Sequence, residues 1–572
     1  MNHTSILSHL SLASLLVLAP ACGGATSGGA TDTFGDDTAA ADVAQDTSAA
    51  DAAEPDTALA DATSDAAGDT VAVDTGLGPA PTPEERPLAI AWAIQSDQTE
   101  GASLLYPAVV ALPDGGFVAM ATFDGTVTFG EREVVSDDEK YTHTLFTRVT
   151  PEGEVAALRW VCDNCGAYSD ASIAVLPSGE LAFVSVADGE VVLDPGGDAE
   201  LTLDTGDEPA LLVTVLTQDG ALARARLVAE LPGWGEIRAL IATPDGGLVA
   251  AGNTQGLVVP DGPAFGPEDG WHYPGRAFVL GADADLNVTF AEQASGDAGS
   301  DVTLLHLDGD ALYAIGDFGG YPLHVPMVLG AGTDGEVTLE AVSSDDDPAM
   351  DIFVSRWDLA ALTDGRPRLE WARRLSHYSN GPRPGTFARS DGAGGVLFRI
   401  VGADGVEPDD DGQIDTVPAY GSENHLLARA SAEGEVSAVA TVSSPLSPAW
   451  DGFLSAETWW SGREVAVGGD DGPVFEVPEA TTGPDGVKWS GTVLGRWRAD
   501  GALLAAGMLL QRTKSSGYPL TIRSALPQDD GSVILVMHGS PTVTLVPSEG
   551  DEVLVSRDPG YERLVVTRLR LR

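Results

Sequence analysis

ALIATPDGGLVAAGN, residues 239–253, decides the reading of this chain. An apolar run meets Pro244-Asp245-Gly246-Gly247 and a second apolar run follows, ending in small residues. Glycine supplies the left-handed backbone that a tight hairpin needs, so the unit reads as strand, turn, strand. Working outward, the same unit recurs as AVVALPDGGFVAMAT (108–122), IAVLPSGELAFVSV (173–186), LLHLDGDALYAIGD (304–317), FARSDGAGGVLFRIVG (387–402), ETWWSGREVAVGG (457–469) and IRSALPQDDGSVILVMHG (522–539). With Gly115, Gly179, Gly246, Gly309, Gly394, Gly462 and Gly531 as equivalents, the spacings are 64, 67, 63, 85, 68 and 69 residues. A period of that size marks a repeat architecture.

A second hairpin unit follows each of the first six, for example LFTRVTPEGEVAALRWV (145–161) and LLARASAEGEVSAVATV (426–442). The seventh copy is split: LVVTRLRLR (564–572) ends the chain after one strand, and LAIAWAIQ (88–95) starts the folded part with the other. Four strands per repeat, one of them supplied by the opposite terminus, predict an all-β, seven-bladed β-propeller over 87–572, closed by strand exchange between its ends. Closure leaves no blade with an unpaired face of backbone groups.

The pattern resembles the SBBP beta-propeller repeats, on Gly125-Thr126-Val127-Thr128-Phe129-Gly130, Phe353-Val354-Ser355-Arg356 and Trp371-Ala372, with weaker copies across 88–572. The resemblance implies a propeller fold and an extracellular setting, and no single activity, since one fold hosts many functions.

Residues 1–21 read as a signal peptide: Leu10–Leu18 is too short an apolar run to span a bilayer. Ala19-Pro20-Ala21-Cys22 resembles a lipobox, with Cys22 the lipidated residue of an outer-membrane or cell-surface lipoprotein; the alternative is a plain signal peptide. Residues 22–86, rich in Ala, Asp and Thr, cannot bury enough apolar surface to fold and predict a disordered acidic tether. Thirty basic against 87 acidic side chains give a formal charge of −57. That charge excludes a nucleic-acid partner, whose binding rests on cationic contacts to phosphates.

The turns within each hairpin are short, whereas second and third strands are joined by long irregular connections, so any ligand site is placed on the long-connection face. Arg148, Arg356, Arg429, Arg496 and Arg568 recur at one place in the third strand, which predicts a structural role, such as pairing with an acid of the adjacent blade. Cys162 and Cys165 predict a disulfide in an exported protein; metal and redox roles are the alternatives. Glu407, Asp409, Asp411 and Asp415 alternate around Gly412 and are similar to a thrombospondin type 3 calcium loop; the alternative is a solvated acidic loop. Asp345, Asp346, Asp347 and Asp351 form a second acidic cluster with poorer spacing. No catalytic residue is assigned, because no nucleophile-elbow, P-loop, zinc-protease or dinucleotide motif occurs. The leading expectation is a binding or scaffold protein for a protein or glycan. An exported glycan-active or hydrolytic enzyme is the second, and a spacer domain without ligand the third.

Overall fold

The computed structural model describes residues 84–85, 88–98, 103–136, 143–166, 173–233, 235–260, 262–266, 275–296, 298–319, 326–341, 350–376, 383–402, 424–443, 446–449, 453–458, 464–466, 474–476, 487–497, 503–514, 520–528, 530, 532–539, 543–547, 550–551, 553–555 and 563–571. Residues 1–83, which include the expected signal peptide, Cys22 and most of the expected tether, lie outside them. The described residues are strands and turns, without a helix.

The ladders run through successive sets of four antiparallel strands, each called a sheet below; strands of the connections join some of them into continuous sheets of up to 11 strands. The first comprises Ser103–Ala111, Phe117–Asp124, His143–Val149 and Val155–Gly166. The second has Ile173–Val175, Leu181–Leu193, Ala210–Leu216 and Leu222–Glu230; the third Gly235–Ala242, Leu248–Thr254, Arg276–Ala282 and Val288–Gln293. The fourth is Gly299–Asp308, Ala311–Gly319, Met350–Thr363 and Arg366–Ser376; the fifth Arg383–Ser390, Val396–Gly402, Asn424–Ala430 and Val436–Ser443. Leu446–Ala449, Phe453–Thr458, Val487–Trp497 and Leu503–Lys514 form the sixth. The seventh takes Thr521–Pro527, Ser532–Gly539 and Arg563–Leu571 from the C-terminus and Leu88–Gln98 from the N-terminal side. There Leu88 pairs with Leu571 and Gln95 with Val565.

Phe117–Asp124, Ala210–Leu216 and Leu248–Thr254, each a second or third strand, are buried on both faces along their whole length. Such strands lie between neighbouring sheets, and the apolar clusters sit there. Val213 of the second sheet packs with Leu280 of the third, Val249 of the third with Leu312 of the fourth, and Ile534 of the seventh with Phe117 of the first. The first strands touch in a complete cycle: each contacts the first strand of the next sheet, and Thr521–Pro527 contacts Ser103–Ala111.

The short turns explain the glycine period. In Leu112–Gly116 the Leu112 amide donates to the Gly116 carbonyl and the Gly115 amide to the Leu112 carbonyl, both at 2.9 Å, with Gly115 at φ 84°. This is a hairpin loop ending in a left-handed bulge residue. Where the third sheet carries Leu286 at that place, φ is 63° and the side chain is buried among apolar neighbours instead.

Two expectations need correction. The sixth repeat was centred on Gly462, but its first hairpin is Leu446–Ala449 with Phe453–Thr458, and Glu464–Ala466 pairs with Val474–Glu476. Gly468, Gly469 and Gly472 lie between those last two segments and supply a second, competing turn signal. The long connections were expected to be irregular, yet several fold into hairpins that pair with the last strand of the preceding sheet or its continuation. Val127–Phe129 pairs with Ser96–Gln98, Val258 with Glu230, Met327–Val328 with Ser295–Gly296 and Val543–Pro547 with Leu509–Thr513. Alternate side chains such as Val127 and Phe129, or Val543 and Leu545, are buried, and the fold gains interior from what composition alone reads as loop.

Candidate functional site

Five of the first strands carry a register shift at one recurring place: between Leu105 and Ala108, Ile237 and Ala239, Val302 and Leu304, Pro384 and Ala388, and Ile522 and Ser524. A bulge inserts an extra residue and re-aims a side chain. In the third sheet that residue is Arg238. Its Nε lies 3.1 Å from Asp301 Oδ2 on the first strand of the fourth sheet, and its other end pairs with Glu236. Asn253, 1% exposed, is the ladder partner of Glu236, and Asp317 is that of Asp301.

Two carboxyl groups therefore share one guanidinium. Burial raises the Asp301 carboxyl to about 6, against the pull of Arg238, and burial also raises Glu236. Arg238 is held above its ordinary value: burial works against its charge, and Asp301, Glu236 and Asp317 more than offset it. A carboxyl that takes up a proton near neutrality beside an ionised partner is the raw material of acid–base chemistry, and buried ion-pair networks produce the same signature. The sequence reading missed this cluster. Its available signal was the charge on GEIRALIA and GSDVTLLHL, where the first strand SLLYPAVVA carries none.

The recurrent arginines do pair with acids, but chiefly within their own sheet. Arg148 reaches Asp114 at 2.9 Å, Arg429 reaches Asp391 at 2.6 Å and Arg568 reaches Asp530 at 3.1 Å, each acid standing in or beside the first turn. Arg356 pairs with Glu370 on the neighbouring strand. Two bridge to the next sheet as well: Arg148 to Asp219 at 3.1 Å, and Arg568 to the Pro151 carbonyl at 2.9 Å. Arg496 sits opposite Phe453 in the ladder.

Cys162 and Cys165 are joined, with Cα atoms 6.0 Å apart, inside the last strand of the first sheet. Glu407, Asp409, Asp411 and Asp415 lie outside the described residues, as do Asp345, Asp346 and Asp347; Asp351 is buried at the start of its strand. Among the described residues, no group of three or more His, Cys, Asp or Glu is placed to hold a metal ion. No described helix is long and apolar enough to cross a membrane. A cavity of about 440 Å³ opens on the short-turn side, opposite to the face expected to bind, lined by Leu112, Pro113, Asp114, Pro151, Asp530 and Arg568 among others. Its carboxylates are already held by the arginines just described.

No family model matches the chain, and no curated protein matches it. Among solved structures it is similar to a protein of unknown function from Dyadobacter fermentans, at 10% identity and a TM-score of 0.21, over 85% of this chain and 100% of that one. It is likewise similar to the rhamnogalacturonan lyase YesW, at 12% identity and a TM-score of 0.21, over 80% and 88%. Superposition at that level settles neither fold nor activity.

Proposed function

We propose that residues 87–572 form a closed seven-bladed β-propeller that serves as an exported binding scaffold, recognising a protein or glycan on its long-connection face. The observation that carries this reading is the complete cycle of first-strand contacts, together with the pairing of Leu88–Gln95 against Val565–Leu571. The hairpins of the long connections give that face ordered, chain-specific surfaces on a rigid frame, the usual place for recognition. In the same reading, a signal peptide and a lipid on Cys22 hold the domain at the cell envelope through the tether, in line with the likeness to SBBP repeats. The deciding experiment is a glycan and secreted-protein binding screen with the chain from residue 84. Binding abolished by grafting neutral turns over the 188–208 and 329–336 hairpins supports the scaffold, and a screen without a ligand leaves the spacer reading.

An enzymatic second reading is favoured by Glu236 and Asp301 around Arg238. Release of reducing ends from a polysaccharide panel, lost in both Glu236→Gln and Asp301→Asn, would establish it; activity unchanged in both would remove it.

Two further parts of the proposal have direct tests. Cys22→Ser should move the protein from membrane to soluble fractions with its melting temperature unchanged. If 407–415 binds calcium, millimolar calcium should raise the melting temperature by several degrees relative to chelator, since a ligand of the folded state alone stabilises it.

A further inference from the structure

We propose that the Cys162–Cys165 disulfide is a clasp on the hairpin that joins the second and third strands of the second sheet. Closed, it fixes the seam with the first sheet; opened, it releases the hairpin while both sheets stay folded.

The seam is unlike its counterparts. Val186 pairs with Gly166 and Ala187 with Cys165, and then the register jumps, so that the next pairs are Val192 with Asp163 and Leu193 with Cys162. Residues 188–191 thus face a single unpaired residue, Asn164. Cys165 borders the interruption on one side, and Cys162 lies one rung beyond Asp163 on the other. Asn164 has φ 62°, a left-handed conformation that costs a non-glycine residue about 1 kcal/mol. In return its side-chain amide donates to the carbonyls of Asp188 and Glu190, at 2.5 and 3.0 Å, in place of the missing ladder bonds.

The far side of the interruption is tied as well. Gly189, at φ 72°, exchanges hydrogen bonds with Thr205: its amide donates to Thr205 Oγ1 at 2.8 Å, and its carbonyl accepts from the Thr205 amide at 3.0 Å. Thr144 Oγ1 donates to the Cys165 carbonyl at 2.7 Å, and the Asp194 amide to the Val161 carbonyl at 3.0 Å. Equivalent seams at 96–98 with 127–129, and at 509–513 with 543–547, run in unbroken register. Their ladders hold by themselves. The interrupted one rests on a strained residue, and the disulfide closes the loop that holds that residue in place.

Opening the clasp needs two electrons and two protons. A dithiol reductant supplies both: the bond between Cys162 and Cys165 breaks, two thiols form, and the dithiol closes into its own disulfide. Both sulfurs are buried, with Cys162 1% and Cys165 0% exposed, so the exchange follows opening of the seam. The proposal is independent of whether this face binds anything.

Hydrogen exchange of the full chain, read by mass spectrometry with and without a dithiol, tests it. Intact mass first scores the bond; free thiols at both positions in the unreduced protein overturn the proposal. After verified reduction, or in Cys162→Ser/Cys165→Ser, amides in 187–194 and 201–206 should exchange at least about tenfold faster, while 145–149 and 211–216 keep their rates. Asn164→Gly keeps the left-handed backbone and the disulfide but removes the amide, and should speed exchange at 188–191 alone. Unchanged exchange after reduction, or loss of protection across both sheets together, overturns it.

Discussion

The fourth and seventh sheets have the same ladder and opposite histories. One is drawn from the contiguous segment 299–376; the other joins 521–571 to 88–98. In the seventh, the Leu564 amide donates to Ser96 Oγ at 3.0 Å and Thr567 Oγ1 to the Trp92 carbonyl at 2.9 Å, across sequence separations of 468 and 475 residues. Closure entropy rises by only about 0.6 kcal/mol per doubling of loop length, so even this separation costs a few kcal/mol. Burial of Leu88 and removal of an open edge on Arg563–Leu571 offset it. Sequence separation therefore does little to the strength of a finished sheet, and much to how it fails.

The largest expected effect follows from that. Deleting 84–98 should cost on the order of 10 kcal/mol, seen as loss of soluble protein or of a cooperative melt, because one strand and its core side chains vanish together. A synthetic 84–98 peptide added in trans should restore part of the melt; the fourth sheet offers no such rescue. A chain that melts normally without 84–98 breaks the comparison.

Next come two glycines that test whether the seams beside these sheets are equivalent. A Cβ on Gly153 would stand 2.8 Å from the Trp92 ring, and one on Gly434 2.9 Å from the Trp371 ring. Each tryptophan donates to a carbonyl of the same turn, Trp92 to Pro151 at 2.8 Å and Trp371 to Ala432 at 2.9 Å. Gly153→Ala and Gly434→Ala should each lose about 2–4 kcal/mol in denaturant melts, through left-handed strain plus the clash. Gly196→Ala, with φ 71° and open space around it, should lose about 1 kcal/mol. Unequal losses at Gly153 and Gly434 would show that the closing seam is built differently.

The two sheets should also answer pH in opposite directions. Burial raises Asp301 of the fourth sheet from 3.8 to about 6, so its stabilising contribution is complete below 3.8 and is lost as pH rises through about 6. The span is on the order of 2–3 kcal/mol, and Asp301→Asn should flatten stability between pH 4 and about 6. Asp530 of the seventh sheet is lowered from 3.8 to about 2, first by Ser532 and also by Arg568, so its contribution is present above 3.8 and is lost as pH falls through about 2. Asp530 is 45% exposed, and screening leaves that contribution under about 1 kcal/mol. Asp530→Asn should change the melt only in acid.

What could be read from residues was whatever a turn forces. Gly115, Gly179 and Gly246 take positive φ where the spacing placed them, and LAIAWAIQ pairs with LVVTRLRLR. Less legible were the hairpins of the long connections, whose strands of two to five residues fall below the length at which alternation is a signal. Gly125–Gly130 stood out as a motif, while its pairing with Ser96–Gln98 depends on a strand that arrives from elsewhere in the chain. The Glu236, Arg238 and Asp301 cluster was hidden for a related reason: a bulge breaks the period of two that assigns each side chain to a face.

The chain enters the seventh sheet at Leu88, opposite the last residues of Arg563–Leu571, and runs toward Gln98, where it meets Val127. Just before, Glu84 and Glu85 lie parallel to Ala505 and Ala506. A pull between the N-terminal segment and the long-connection face acts along the axis of Leu88–Gln98, at right angles to its hydrogen bonds. All of its rungs then share the load in shear, where a sideways pull would break them one at a time. The strand that pairs the two ends of the described chain is thus set to bear tension, and in a force spectrometer the domain should yield at a higher force when stretched from its N-terminus against that face than when stretched from its two ends.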